Sequence, residues 1–243
     1  MLNELTKRES SLMQNADGFL FRDLNKNGQL DIYEDPRQPL DARVEDLLSQ
    51  MTLAEKAGMM FMPGAVVNDD GSIEEKPEAA GFGFVASSGM TSQKLTHFNI
   101  WQIPGAQVLA TWHNNLQKFA EQSRLGIPLS IASDPRNHFT RNIFSMAATD
   151  FSQWCETLGF GALNDPDLVH EFANMVREEY VAVGIRIALH PQIDLATEPR
   201  WARISGTFGE DAHVSAALGA AYIAGFQGDE LGAESVACMT KHF

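Results

Sequence analysis

Four stretches of the chain gather side chains able to grip oxygen atoms. The first, DLNKNGQLDIYE from Asp23 to Glu34, has the spacing of a twelve-residue loop that wraps a calcium ion. Asp23, Asn25, Asn27 and Asp31 would offer side-chain oxygens, Gln29 its carbonyl and Glu34 a bidentate carboxylate, with Gly28 at the sharp turn. Such a hard cation takes oxygen ligands only, and this loop supplies nothing else. Pro36 follows at once and disfavours helix in the residue before it, so an ion-free Asx/Gly turn fits the same residues. No second loop accompanies it, which argues against a paired sensor and for a structural ion.

The second stretch is IPLSIASDPRNHF, where an apolar run ends and presents Asp134. A carboxylate there can accept hydrogen bonds from two neighbouring hydroxyls, although Asp-Pro also starts turns. The third is HPQIDLATEPRWARISGTFGED, carrying His190, Asp194, Glu198, Arg200 and Arg203. Two guanidinium forks beside Trp201 suit a polyhydroxylated ligand, and equally a structural ion-pair network. His190 alone reads as a satisfied strand-end histidine more than as a catalyst. The fourth is Lys241-His242, a donor pair whose side chains would diverge on a regular strand unless the strand bends there.

Elements must bring these groups together. From Asp41 the pattern turns helical: Val44, Leu47, Leu48 and Met51 make one stripe, and Thr52 with Glu55 forms a capping box that restarts a helix through Met60. Four apolar runs then have strand length: Phe82–Ala86, Leu129–Ser133, Ile185–Leu189 and Val236–Thr240. Helices are expected over 105–124, over 166–183 between Asp165 and Gly184, and over 210–227, the last with Thr207 and Glu210 as its capping box. Alternating strands and helices mean a parallel sheet. With Asp134, His190, Lys241 and His242 all at carboxyl ends of strands, the polar groups lie where α/β barrels keep their sites. The three strand-to-strand steps average about fifty residues, against about 31 per unit in a barrel of ~250 residues. The sequence therefore implies the first half of a (β/α)8 barrel with long βα loops, or a small open sheet, with residues 1–40 forming an N-terminal arm.

Composition narrows the partners. The 243 residues hold 18 Lys+Arg against 32 Asp+Glu, a net charge of −14, which speaks against a nucleic-acid surface or an anionic membrane. No apolar stretch approaches the ~20 residues of a spanning helix. MLNELTKRES lacks the apolar core of a signal peptide, so a cytoplasmic protein or a processed periplasmic or secreted one is expected. Cys155 and Cys238 are too few for a disulfide framework. No Gly-rich phosphate loop, nucleophile elbow or His-Glu-x-x-His motif occurs, although His190 and His242 leave a metal hydrolase of another class open. The apolar ending MTKHF gives the expectation of a piece of a longer protein.

Taken together, RVEDLLSQMTLAEK, IPLSIASDPR, EPRWAR…GTFGED and the terminal KHF resemble glycoside hydrolase family 3, the β-glucosidase type, over nearly the whole chain. The resemblance implies a (β/α)8-type barrel and a retaining, exo-acting glycosidase releasing terminal non-reducing β-D-glucosyl residues, with β-xylosidase and β-N-acetylglucosaminidase as alternatives. By the same resemblance Asp134, Arg203, Lys241 and His242 bind the non-reducing-end sugar, Arg200 and His190 support them, and the calcium-like loop is structural. Ala202 stands where the family usually has glycine, and Ala212 where it often has proline. Retention needs two carboxyl groups about 5–5.5 Å apart. The family's nucleophile and acid/base would both fall beyond Phe243, so no catalytic residue is assigned. The expected substrate is a β-linked glucoside or oligosaccharide, no cofactor serves the chemistry, and the expected partner is the rest of the barrel with a C-terminal domain. By itself the chain is expected to bind sugar without cleaving it. The rival from another class is a non-catalytic, truncated carbohydrate-binding homologue.

Overall fold

The computed structural model describes residues 12–74, 86–139 and 150–242. A hairpin of β1 (Leu12–Gln14) and β2 (Leu20–Arg22) opens it, and the calcium-like loop follows. Where a cation loop would feed a full helix, Ile32–Glu34 make a single 3-10 turn, as Pro36 requires. Next come α1 (Leu40–Gln50) and α2 (Leu53–Met59). The capping box at the start of α2 forms as expected: Thr52 Oγ1 accepts from the Glu55 amide, and Glu55 accepts from the Thr52 amide. The apolar stripe of α1 is less buried than its pattern implies, since Met51 is covered but Val44 and Leu48 are exposed.

The main sheet is β3 (Gly64–Ala65), β4 (His97–Ile100), β5 (Ser130–Ser133), β6 (Ile185–Ala188) and β7 (Ala237–Cys238), all parallel and in sequential order. A doubly wound sheet would reverse its order at a switch point, and this one does not. The helices α3 (Ala86–Gln93), α4 (Ala106–Glu121), α5 (Thr157–Leu163), α6 (Pro166–Val183) and α7 (Ala212–Gln227) complete the described elements. Between the sheet and α4, α6 and α7 lies the core, with Trp112, Leu116, Phe172, Tyr180, Tyr222 and Phe226 almost wholly enclosed.

Helix α6 runs between the two signals that bound it in the sequence. Asp165 caps the amides of Asp167 and Leu168, Pro166 opens the first turn, and Gly184 stops the helix at a φ of 90°. Its pairing with α7 needs Gly225: a Cβ there would lie 2.6 Å from both the Ala173 Cβ and the His170 carbonyl.

Four expectations change. The run Phe82–Ala86 falls outside the described residues except for Ala86, which opens α3, while β3 and β4 take the sheet positions before β5. Strand starts at residues 64, 97, 130, 185 and 237 lie 33, 33, 55 and 52 residues apart. The first two units thus keep nearly the ~31-residue pace of a barrel, and only the later two carry long insertions. Next, Thr207 does not cap α7. Asp211 does, accepting from the amides of His213 and Val214, while the Thr207 hydroxyl accepts from the Gly209 amide and donates to the Ile204 carbonyl. Val236–Thr240 also shortens to a two-residue strand, so Lys241 and His242 sit on the loop beyond it.

Candidate glycone site

An open cavity lies at the carboxyl edge of the sheet, where Asp134, His190, Arg203 and Lys241 are among its walls. Asp134 follows β5 directly, and Lys241 reaches back across 107 residues to place Nζ 2.9 Å from Asp134 Oδ1. Asn99, on β4, donates to the other carboxylate oxygen at 3.4 Å. Both charged partners are about three-quarters covered, so each offsets the desolvation of the other and leaves spare valences toward the cavity.

His242 is held from both sides. Its backbone amide and Nδ1 meet Asp194 Oδ2 at 3.1 and 3.0 Å, and Arg203 Nη1 lies 2.8 Å from Nε2. A guanidinium only donates, so Nε2 is the acceptor and the ring proton sits on Nδ1, facing Asp194. Burial works against the Asp194 charge, but the hydrogen bonds from His242 outweigh it and hold the carboxyl below its ordinary range. Lys241 thus meets Asp134 and Arg203 meets His242, and His242 points an acceptor, not a donor, toward Arg203.

Arg200 stays apart. Its Nε and Nη2 donate to Glu198 at 2.8 and 2.9 Å on the surface, and that pairing lowers the Glu198 carboxyl to about 2. The structure brings it into no contact with the cavity walls among the described residues. His190 and His242 do not meet in a metal-holding group, and no cluster of three or more His, Cys, Asp or Glu suited to a metal occurs among the described residues.

Reading the sequence misses several groups that shape this site. Arg136, two residues after Asp134, is buried and donates to Ser133 Oγ (2.7 Å), the Ile100 carbonyl (2.5 Å) and the Trp101 carbonyl (3.0 Å). It thereby clamps the ends of β4 and β5 together. Glu156 and Gln192 also line the cavity, and Gln192 donates to the Arg203 carbonyl at 3.3 Å. The proximity of Arg136 to Asp134 was visible in the sequence, but Asn99 was not, because β4 gives no alternating pattern.

In the calcium-like loop, Asp23 accepts from the amides of Asn27 and Gly28, and Gly28 has a φ of 81°. Glu34 accepts from the amides of Leu24, Asn25 and Asp31, and burial raises its carboxyl pKa despite these bonds. The amides of Asn25 and Asn27 each lie 2.7 Å from Asp31 Oδ2. The Oδ1 atoms of Asn25 and Asn27 accept from the amides of Asn27 and Gln29, so a cation at this loop would have to displace hydrogen bonds that the loop already makes. Gln29 is exposed, and its amide donates to Asn27 Oδ1.

A parallel α/β arc with sequential strands and a charged cavity at its carboxyl edge defines a barrel-type domain. The profile described as glycosyl hydrolase family 3 N terminal domain matches residues 52–243. The chain belongs to that family. It is 48% identical over 227 residues to Beta-glucosidase C of Emericella nidulans, covering 91% of this chain and 35% of the relative. To the periplasmic beta-glucosidase/beta-xylosidase of Dickeya chrysanthemi it is 44% identical over 238 residues, covering 94% and 35%. The chain thus spans about a third of the length of these relatives. Among solved structures, a b-glucosidase from Erythrobacter marinus aligns with a TM-score of 0.64 at 22% identity, covering 90% of this chain and 26% of that one. The beta-glucosidase of Listeria innocua, solved in complex with glucose, aligns with a TM-score of 0.59 at 25% identity, covering 83% and 26%.

Proposed function

We propose that the protein carrying this chain hydrolyses terminal β-D-glucosyl residues with retention, and that these residues form the glycone-binding side of its site. The observation that carries the reading is the convergence of Asp134, Arg203 and Lys241, from beyond three successive strands, around one open cavity, with His242 bonded to Arg203 beside it. Asp134 accepts from sugar hydroxyls, Lys241 Nζ donates while neutralising Asp134, and Arg203 presents the fork that His242 and Asp194 orient. The remainder of a (β/α)8 barrel and a C-terminal domain supply the nucleophile and acid/base. Likeness to a beta-glucosidase and a beta-glucosidase/beta-xylosidase favours glucosides first and xylosides second.

The test is turnover of aryl β-glucoside, β-xyloside and β-N-acetylglucosaminide by the full-length protein, with the product anomer followed by NMR. Fastest cleavage of the glucoside to the β-anomer is expected, and no cleavage of any of the three refutes the reading. Residues 1–243 alone should bind glucose weakly and cleave nothing.

We propose further that the loop 23–34 takes a structural Ca2+ through Asp23, Asn25, Asn27, Asp31, Glu34 and the Gln29 carbonyl. Bound there, the ion would tie the arm together and take no part in hydrolysis. A melting temperature unchanged by chelator and by added calcium refutes this.

A further inference from the structure

We infer that His190, Tyr180 and Tyr222 form a buried positioning relay that sets the angle of Asp134 toward the sugar; this rests on the reading of Asp134 as a glycone ligand. His190 is 2% exposed and stands between two phenols. Its Nδ1 lies 2.5 Å from Tyr222 Oη and its Nε2 lies 3.2 Å from Tyr180 Oη. Tyr180 Oη in turn lies 3.3 Å from the main-chain carbonyl of Asp134.

Proton counting gives this chain one direction. A carbonyl only accepts, so Tyr180 donates its hydroxyl proton to Asp134. The oxygen of Tyr180 is then free to accept from Nε2–H of His190. A neutral imidazole has one N–H, so Nδ1 is bare and accepts from the Tyr222 hydroxyl. The Tyr180 oxygen also faces the Ser133 side chain and the Arg136 main chain, so the node that reaches Asp134 is tied to β5 as well as to His190. Burial disfavours charge on the imidazole and on both phenols, which keeps all three groups in the protonation states the relay needs.

The target of the relay is held from its other side as well. Ser133 Oγ donates to the same Asp134 carbonyl at 2.8 Å, and Arg136 Nε donates to Ser133 Oγ at 2.7 Å. A carbonyl has two lone pairs, and both are occupied. The peptide plane that carries the Asp134 side chain is thus pinned from β5 by Ser133 and Arg136. From α6, β6 and α7 it is pinned by Tyr180, His190 and Tyr222. Packing alone does not call for three polar groups in an apolar core, where each would be costly without its partners. Although His190 lines the cavity, both of its nitrogens are consumed inward, so it acts through Asp134.

The test uses the full-length protein, an aryl β-glucoside, and a melting curve for each variant. Tyr180→Phe keeps the ring and removes the link to Asp134; His190→Leu removes donor and acceptor, while His190→Gln keeps one of each. We expect Tyr180→Phe and His190→Leu to lower kcat/KM about tenfold at temperatures well below their melting points, the factor equivalent to ~1.4 kcal/mol. Glutamine should recover most of the loss relative to leucine. In an Asp134→Ala background, Tyr180→Phe should add less than about twofold, because its effect passes through the carboxylate already removed. Variants with lowered melting points but unchanged kcat/KM, or additive losses in the double variant, overturn the relay while leaving the glycone reading intact. If Asp134→Ala itself leaves kcat/KM unchanged, both inferences fall together.

Discussion

The loop at 23–34 and the cavity at the sheet edge are both dense in acids and amides, yet they are built in opposite ways. The loop draws its groups from twelve consecutive residues, and each carboxylate accepts hydrogen bonds from amides of the same loop. The cavity draws its groups from strand ends, and its central ion pair closes a separation of 107 residues. Local groups can satisfy one another without any fold beneath them. Distant groups meet only where the sheet places them, and they keep valences open toward solvent. The first arrangement steadies a chain segment; the second can bind a ligand.

The difference should appear most sharply in activity. In the full-length protein, Asp134→Ala strands the Lys241 ammonium in a mostly covered position, and kcat/KM on an aryl β-glucoside should fall about a hundredfold or more, ~2.7 kcal/mol. Equal losses from Asp31→Ala in the loop would erase the contrast between the two regions.

The next effect lies in the support beneath the cavity. Gly161 on α5 faces the backbone that follows Arg203, and a Cβ there would fall 1.9 Å from the Phe208 carbonyl. Gly161→Ala must therefore push that segment away, costing ~1–3 kcal/mol in denaturant melts and weakening sugar binding at the same time. Saturating the loop with calcium to about 100 times its dissociation constant should add ~2.7 kcal/mol at most, read as a rise in melting temperature with kcat unchanged.

Acid should touch the cavity more than the loop. His190 and His138 are buried, and burial lowers both below the ordinary value of 6.5. In the folded protein they stay neutral, whereas the unfolded chain takes up protons as pH falls through about 6.5. The unfolded state then binds more protons, so stability rises with pH up to that point and declines below it. Melting temperatures measured from pH 7.5 down to 5.5 should fall, and His190→Gln should flatten the slope. The smallest effect belongs to Arg200→Ala: its exposed pair with Glu198 is screened by solvent and contributes little, and kcat/KM should change less than about threefold.

How much of this was legible in the sequence follows the same division between local and distant. Caps written within three or four residues, such as Thr52 with Glu55 and Asp165 before Pro166, were readable and formed as read. So were β5 and β6, whose apolar runs end in Asp134 and His190. By contrast, β3 has two residues, too few for any periodicity, and β4 reads HFNI with three of its four positions buried. A strand enclosed on both faces of a parallel sheet shows no alternation, so Asn99 and its bond to Asp134 could not be seen. The α7 cap was misplaced because Thr207 and Asp211 offer competing oxygens, and only the fold decides that Thr207 turns back on Ile204. Arg200 looked like a site residue because it shares a motif with Arg203, but the turn aims it at Glu198.

The sequential order of the strands has a consequence for how the protein is made. Each β-α-β unit pairs with the one synthesised just before it, so the sheet can extend in step with the ribosome, and nothing in the order of pairing has to wait for a distant strand. Asp134 is the exception. At about 5–20 residues per second, roughly 5–20 s pass between its synthesis and that of Lys241. During that interval the Asp134 carbonyl can already be gripped by Ser133 and, later, by Tyr180, while its carboxylate lacks the Lys241 ammonium. The nascent chain therefore carries a prepared carboxylate that no lysine yet faces, and the arrival of Lys241 completes the ion pair at the edge of the cavity.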